Sequence, residues 1–152
     1  SLKKKNFHAR YSAKKRFYTY FIVNRMAPLS LDENKAWHIK SHLNTELMKK
    51  AAKLLEGTKD FSTFRSSSCA AESPIRSLDK VKILKQGNKI AITFKSKSFL
   101  QQQVRSMVGC LKFVAEEKWN LKKFKFVMDS KKRINCAPPA PAHGLYLLRI
   151  DY

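Results

Sequence analysis

Acidic residues and glycine are both scarce in this sequence of 152 residues. It has 11 Asp and Glu against 32 Lys and Arg, and only four glycines. So few glycines leave no Gly-rich loop of the kind that cradles nucleotide phosphates. The acids form no pair in an apolar setting, which argues against a two-carboxylate hydrolase site. A serine nucleophile elbow and a Cys-x-x-Cys motif are missing as well. The residues by themselves therefore show no complete catalytic set.

Long apolar runs, a secretory leader and paired cysteines are also lacking. No run of about 18 apolar residues occurs, so we expect no membrane span. The first residues, SLKKKN, contain no apolar segment of a signal peptide and no initiator Met, and we expect a piece of a larger protein. Cys69, Cys110 and Cys136 are widely spaced and odd in number, which favours free thiols in a reducing compartment. A cytoplasmic location is therefore expected.

What the chain does have is positive charge, with a formal net charge of +21. A globular domain this basic normally has a polyanionic partner, and nucleic acid is the first candidate. The lysines are spread along the whole chain, so a lysine-rich genome is an alternative explanation of part of the excess. Hydrophobic residues make up 43% of the sequence, enough for the core of one domain spanning residues 1–152.

Apolar periodicity, caps and turn residues predict a series of strands and helices in mixed order. The predicted strands cover residues 17–23, 78–85, 89–95 and 145–152, and the predicted helices cover residues 44–56, 98–117 and 120–128. Residues 31–39 are expected to be short-helical or irregular, and residues 59–76 to be a long polar loop that Phe61 and Phe64 pin to the core. Such an order predicts an α+β fold with a mixed, mostly antiparallel sheet flanked by helices.

Individual residues mark the expected ends and faces of these elements. Asn44 and Ser98 are the expected N-caps of the first two helices, and Glu46 and Lys50 are spaced for an ion pair on the first of them. Gln86-Gly87-Asn88 predicts a hairpin turn between the second and third strands. On the first strand, Tyr20 and Phe21 are expected to face opposite sides of the sheet.

Cations and aromatic rings alternate in FHARYSAKKRFYTY, residues 7–20. On a strand, the ring of Tyr18 is suited to stacking on a nucleobase, next to charges that seek phosphate. The alternative is a half-buried strand with a solvated basic approach. The cations of this lead-in are Arg10, Lys14, Lys15 and Arg16.

Three further arginines are candidates for anion contacts. Arg65 and Arg76 lie in the polar loop, and the arginine fork suits phosphate geometry. Arg105 lies beside the apolar stripe of the long helix, where it needs an anionic partner unless its head reaches water. Gly109 of that helix allows close backbone approach. His38 and His42 are four residues apart, but without a third ligand nearby we expect no metal site.

Four motifs together resemble a known family. They are FHARYSAKKRFYTY (7–20), DFSTFR with Cys69 and SPIR (60–76), FLQQQVRSMVG (99–109) and APAHGLYLLRIDY (140–152). In this order and spacing they closely resemble the C-terminal catalytic-domain half of the tRNA pseudouridine synthase A family, and the resemblance covers nearly the whole chain.

The resemblance implies a pseudouridine synthase-like fold and a cofactor-free isomerisation of uridine to pseudouridine in the anticodon stem-loop of tRNA. It also implies a homodimer in the intact protein, with no metal. The family's nucleophile is an aspartate in a GRTDAGVHA-type motif, and none of the five aspartates here lies in such a motif. We expect that aspartate in an N-terminal half upstream of Ser1, so that this piece alone is inactive.

The resemblance also implies roles for individual residues. Tyr18 matches the tyrosine that stacks on the target base, Leu145 matches an apolar residue of the base pocket, and Arg105 matches the arginine that pairs with the nucleophilic aspartate. Arg10 and Arg16 match basic positions that position RNA. The alternative is a non-catalytic basic RNA-binding module, in which Tyr18→Phe and Arg105→Lys would barely matter while pooled Lys→Ala changes would abolish binding.

Overall fold

A computed structural model describes residues 14–30 and 35–152 of the chain; Arg10 lies outside these ranges. The described part contains six strands and three α-helices, which we number in chain order. The strands are β1 (Lys15–Asn24), β2 (Trp37–Ile39), β3 (Gly57–Asp60), β4 (Ile75–Gln86), β5 (Lys89–Ser96) and β6 (Leu145–Asp151). The helices are α1 (Thr45–Leu55), α2 (Gln103–Ala115) and α3 (Leu121–Ser130).

All six strands belong to one sheet in the order β2-β1-β5-β4-β3, with β6 also paired to β1. The β1–β2 pair is parallel, and the other four pairs are antiparallel. One edge of β1 is covered by β5, while the other is shared between β6 near its start and β2 near its end. The α+β fold with a mixed, mostly antiparallel sheet is therefore confirmed.

Side-chain alternation on β1 explains which face of the sheet is the core. Tyr20 and Ile22 are fully buried, whereas Phe21 between them is 39% exposed. The buried side joins Ile92 and Phe94 of β5 in one cluster with the apolar faces of the helices. Helix α1 packs against β4 and α2, and α3 packs against both other helices. The predicted opposition of Tyr20 and Phe21 is confirmed.

The residues at its two ends explain where helix α1 begins and ends. The Asn44 side chain accepts hydrogen bonds from the amides of Glu46 and Leu47 at 3.1 and 3.2 Å, so α1 begins after it as expected. Gly57 follows α1 with a φ of +117°, which favours glycine. The ion pair of Glu46 is with Lys49 at 3.4 Å, rather than with Lys50.

The long helix begins later than predicted. Ser98 does not cap it, because the Ser98 amide and carbonyl both bind the Ser96 hydroxyl in a local turn. Helix α2 starts at Gln103, whose side chain accepts from the Leu100 amide at 2.8 Å, and Gln102 before it has a φ of +64°. Residues 99–102 are thereby freed from the helix to form the wall of a cavity.

Two short strands were not predicted. Trp37–Ile39 pairs with β1 in parallel, where a helical or irregular segment was expected, and three residues are too few to show a period. Gly57–Asp60 pairs with the first residues of β4, within and just before the expected loop. Its sequence, GTKD, has no apolar alternation, so backbone pairing with β4 defines it. Phe61 and Phe64 are buried at 0% and 1% exposure, which confirms that they pin the following segment.

Neither a membrane span nor a metal cluster is found in residues 14–30 and 35–152. None of the helices there is both long and apolar enough to cross a bilayer. No group of three or more His, Cys, Asp or Glu side chains is placed to hold a metal ion. The His38 ring instead lies 2.8 Å from the Arg25 carbonyl through its Nε2 atom.

Candidate nucleic-acid interface

Tyr18, Arg105 and Leu145 line one cavity of about 300 Å³, which we call the Arg105 cavity. They come from β1, the first turn of α2 and the start of β6. These elements meet because β1 pairs with β6 while α2 packs across β1. The remaining lining is the turn before α2 and its first residues: Phe99, Leu100, Gln101, Gln102, Gln103 and Val104.

Arg105 is held by a single residue of the proline-rich segment. Its Nε atom donates to the Ala140 carbonyl at 2.7 Å, and its own carbonyl accepts from the Ala140 amide at 2.9 Å. Its two terminal nitrogens make no hydrogen bond or ion pair with the rest of the described chain. A half-buried guanidinium is thus fixed through one nitrogen and keeps two donors for an anionic group.

The ring of Tyr18 is also fixed by packing. It meets the Phe99 ring edge-on, with centroids 5.2 Å apart and an interplanar angle of 89°. Its backbone lies at an irregularity in the β1–β6 pairing, where the register shifts between Phe17 and Tyr18. The Tyr18 hydroxyl makes no hydrogen bond with the described residues. The ring is therefore held in place while its hydroxyl stays available.

Leu145 is positioned through Tyr20, which lies opposite it in the β1–β6 pairing. The Tyr20 hydroxyl donates to the Pro141 carbonyl at 2.5 Å. Its ring covers Gly144 so closely that a Cβ there would lie 2.7 Å from a ring carbon. Burial raises the pKa of the Tyr20 phenol far above its usual value, which the nearby charge of Arg105 only partly opposes, so Tyr20 acts as a neutral structural donor.

A larger cavity of about 660 Å³, the Arg16 cavity, lies next to the Arg105 cavity and shares Tyr18 and Phe99 with it. Arg16 and Arg76 line it, and their NH1 atoms donate to backbone carbonyls, at 2.6 Å for Lys97 and 2.8 Å for Ser73. Cys69 also lines this cavity, and the charges and hydrogen bonds around it change the pKa of its thiol. A hydrogen bond from the Ala71 backbone, against the opposing effect of burial and with help from the Arg65 and Arg76 charges, lowers the pKa of that thiol.

The other predicted cations have different surroundings. Arg65 lines a third cavity, next to the Arg16 cavity. Lys15 is ion-paired with Asp79, which compensates its charge, and Lys14 is exposed and lines none of these cavities. Lys131 and Arg133, which the sequence shows only as a basic turn, share the third cavity with Arg65. The proximity of Lys131 and Arg133 to Arg65 could not be predicted from the sequence, because the two segments are more than 60 residues apart.

The arrangement is suited to a nucleotide strand. The Arg105 cavity combines an aromatic ring, an apolar wall and a cation with two open donors, and the Arg16 cavity beside it is lined by two further arginines. A base can stack on the ring while phosphates meet the arginines. Fold and site together define an α+β protein with a cationic, aromatic-lined groove.

Comparison with known families identifies the particular family. The family described as tRNA pseudouridine synthase matches residues 51–152, two thirds of the sequence. The chain belongs to the tRNA pseudouridine synthase family. The family resemblance read from the four sequence motifs is thereby confirmed.

Relatives from three bacteria are similar over nearly the whole chain, and each is named tRNA pseudouridine synthase A. The protein from Pelagibacter ubique is 61% identical over 146 residues, which cover 96% of this chain and 59% of that protein. Those from Maricaulis maris and Parvibaculum lavamentivorans are 46% and 45% identical over 147 residues, covering 97% of this chain and 59% and 60% of the relatives. The chain thus spans about three fifths of the length of these relatives.

Proposed function

We propose that the full-length protein isomerises uridine to pseudouridine in tRNA, in the anticodon stem-loop, and that this chain supplies the base pocket and the arginine that orients the nucleophile. In this reaction the bond from the ribose to N1 of uracil breaks and the base reattaches through C5, so the hydrogen on C5 is lost to solvent as a proton and N1 takes up a proton in its place. The convergence of Tyr18, Arg105 and Leu145 on one cavity is the observation that carries the proposal.

Each of these three residues has a role that its surroundings support. The Tyr18 ring, braced by Phe99, stacks on the uracil, and Leu145 closes the apolar side of the pocket. The open nitrogens of Arg105 pair with the nucleophilic aspartate that the family uses, which we place in a part of the protein outside this chain. A guanidinium so close keeps the pKa of a carboxyl group low, so the aspartate stays ionised and fixed in direction.

Tritium release tests the activity directly. The full-length protein is mixed with tRNA transcribed with uridine that carries tritium at C5. We expect release of tritium into water, and loss of that release from tRNA in which the anticodon-stem uridines are replaced by cytidine. Tight binding of tRNA without any release would instead support the non-catalytic RNA-binding module, and release by this chain alone would contradict its expected inactivity.

Changing Tyr18 to phenylalanine is expected to lower turnover with little change in tRNA affinity. The variant keeps the ring that stacks but loses a hydroxyl that has no partner among the described residues and is therefore free to act on the substrate. Proton-transfer groups typically contribute about 10²-fold or more to the rate. Tyr18→Leu is the matched comparison, since it also removes the ring, and should weaken tRNA binding as well. Equal turnover in Tyr18→Phe and the unchanged protein would reduce Tyr18 to a packing role.

We further propose that the protein is a homodimer that works in the cytoplasm without cofactor or metal, as the family resemblance implies. The free state of Cys69, Cys110 and Cys136 fits a reducing compartment. Exposed apolar side chains on β6, with Leu147 and Leu148 at 48% and 59% exposure, are of the kind that protein contacts cover. Light scattering of the full-length protein would give a dimer mass, whereas a monomer mass would contradict this part.

A further inference from the structure

The third cavity, which we call the Arg133 cavity, has a volume of about 290 Å³ and lies beyond the base pocket. Arg65 comes from the segment after β3, and Lys131 and Arg133 follow α3. Its lining contains three cations and no acid: Ser62, Arg65, Ser66, Ser67, Cys69, Lys131 and Arg133. Such a set of cations and hydroxyls is chemically suited to a phosphate group.

The two arginines of this cavity are fixed by neutral groups only. Arg133 donates from NH1 to the Ser106 hydroxyl at 2.7 Å and from NH2 to the Gln102 side-chain oxygen at 3.1 Å. Arg65 donates from NH1 to the Ala71 carbonyl at 3.3 Å. Carbonyls and hydroxyls hold a guanidinium in place without cancelling its charge. The site is therefore oriented before an anion arrives, which lowers the cost of binding one.

One carboxylate acts on this cluster from outside the lining. Burial raises the pKa of Asp60, but hydrogen bonds from Ser62 and the charges of Lys131 and Arg65 outweigh it and hold that pKa below its usual value. Ion pairs within the described residues include none of the three cations. A single acid against three cations leaves a net positive site with room for another anion.

Shared lining residues connect the Arg133 cavity to the base pocket by way of the Arg16 cavity. Cys69 lines both it and the Arg16 cavity, which in turn shares Tyr18 and Phe99 with the Arg105 cavity. Arg133 also binds Gln102, which lines the Arg105 cavity. A strand whose base lies on Tyr18 can therefore follow the groove into the Arg133 cavity.

We propose that the Arg133 cavity binds a backbone phosphodiester of the RNA strand that flanks the target uridine, with Arg65, Lys131 and Arg133 as its donors. The inference rests on the proposed function and deepens it, because it adds Lys131 and Arg133 to the substrate-binding residues. The phosphate contact fixes the register of the strand, so that one nucleotide faces the base pocket.

Lys131 is the best residue to change, because one substitute, asparagine, removes its charge and also fits its unusual backbone conformation. It follows α3 with a φ of +58°, a left-handed conformation that asparagine tolerates better than most residues. Lys131→Asn therefore removes the charge with little strain. Lys132→Asn is the matched control, since Lys132 is its exposed neighbour, carries the same charge and lies outside the cavity lining.

The experiment measures binding of a fluorescent tRNA to the full-length protein over a range of salt concentrations. For Lys131→Asn we expect about a threefold to tenfold loss of affinity and a slope of log K against log salt that is smaller by about one unit, because one phosphate contact is lost. For Lys132→Asn we expect an unchanged slope. Ethylation interference then locates the contact: ethylation of one phosphate near the target uridine should weaken binding of the unchanged protein, and should weaken binding of Lys131→Asn less, because only two of the three donors remain.

The outcomes separate this inference from the proposed function. Equal slopes and equal interference maps for the two variants, on a protein that binds tRNA and releases tritium, would overturn the phosphate site alone. A protein that neither binds tRNA nor releases tritium would overturn the proposed function, and the phosphate site with it. A smaller slope without any interfering phosphate would also overturn the site, because it would reduce the effect of Lys131 to long-range attraction.

Discussion

Replacing Arg105 with lysine is expected to lower the turnover number on tRNA by about 10²-fold or more, because small misplacements of a reacting group have effects of that size. Arg105 uses Nε to bind the Ala140 carbonyl and keeps two nitrogens for the nucleophilic aspartate. A lysine has one ammonium group on a flexible stem, so it cannot hold Ala140 and present a planar fork at the same time. The carboxylate would remain ionised but would lose its fixed direction.

The dissociation constant for tRNA should stay within about threefold of the unchanged value, since Arg105 acts on the nucleophile and the phosphates are held by other cations. Single-turnover kinetics and binding assays on the full-length protein would separate the two effects. Arg149→Lys is the control: it is the same change at an exposed position on β6, where the arginine pairs with Asp151. Parallel losses of affinity and turnover in Arg105→Lys would mean that Arg105 contacts RNA instead.

The central elements of this fold could be predicted from the sequence because their signals are local. The alternation around Tyr20 identified β1, Asn44 identified the start of α1, and Gln86-Gly87-Asn88 identified the turn between β4 and β5. The start of α2 could not be predicted in the same way. Serine is a residue type that commonly caps helices, yet the backbone of Ser98 is hydrogen-bonded to the Ser96 hydroxyl. The Gln103 side chain instead accepts a hydrogen bond from the Leu100 amide just before the helix. That competition between two local arrangements is decided by packing.

In the candidate site, too, features that depend on neighbouring residues could be predicted, whereas contacts between distant segments could not. Tyr18 was identified from its own strand, but nothing in the residues around Arg105 indicated that Ala140 would hold it, 35 positions away. The family resemblance supplied the pairing of Tyr18, Arg105 and Leu145, and the fold brings the three together. Lys131 and Arg133 fell outside the matched motifs, so only the tertiary structure places them beside Arg65.

Gly109→Ala is expected to have the largest effect on stability among the variants considered. It should lower the free energy of unfolding, the opposite of what alanine usually does inside a helix. Alanine in the interior of a helix normally stabilises by about 0.5–1 kcal/mol relative to glycine. Here a Cβ would lie 2.1 Å from the Pro138 carbonyl oxygen and 3.2 Å from its carbon, where backbone must move. Overpacking of this kind lowers the free energy of unfolding by about 1–3 kcal/mol. Calorimetry should therefore show a Tm lower by about 2–12 °C for a chain of this size.

The same change should lower turnover, because Pro138 lies two residues from Ala140, which holds Arg105. Gly87→Ala is the comparison: Gly87 has a φ of +60° and no atom within 4 Å of the added Cβ, so its cost is backbone strain of about 1–2 kcal/mol and turnover should be unaffected. Both variants strain a glycine position, but only Gly109→Ala transmits the strain to the guanidinium. A Gly109→Ala protein as stable and active as the unchanged one would mean that α2 and the proline-rich segment are farther apart, and Arg105 would then lack the support on which its role depends.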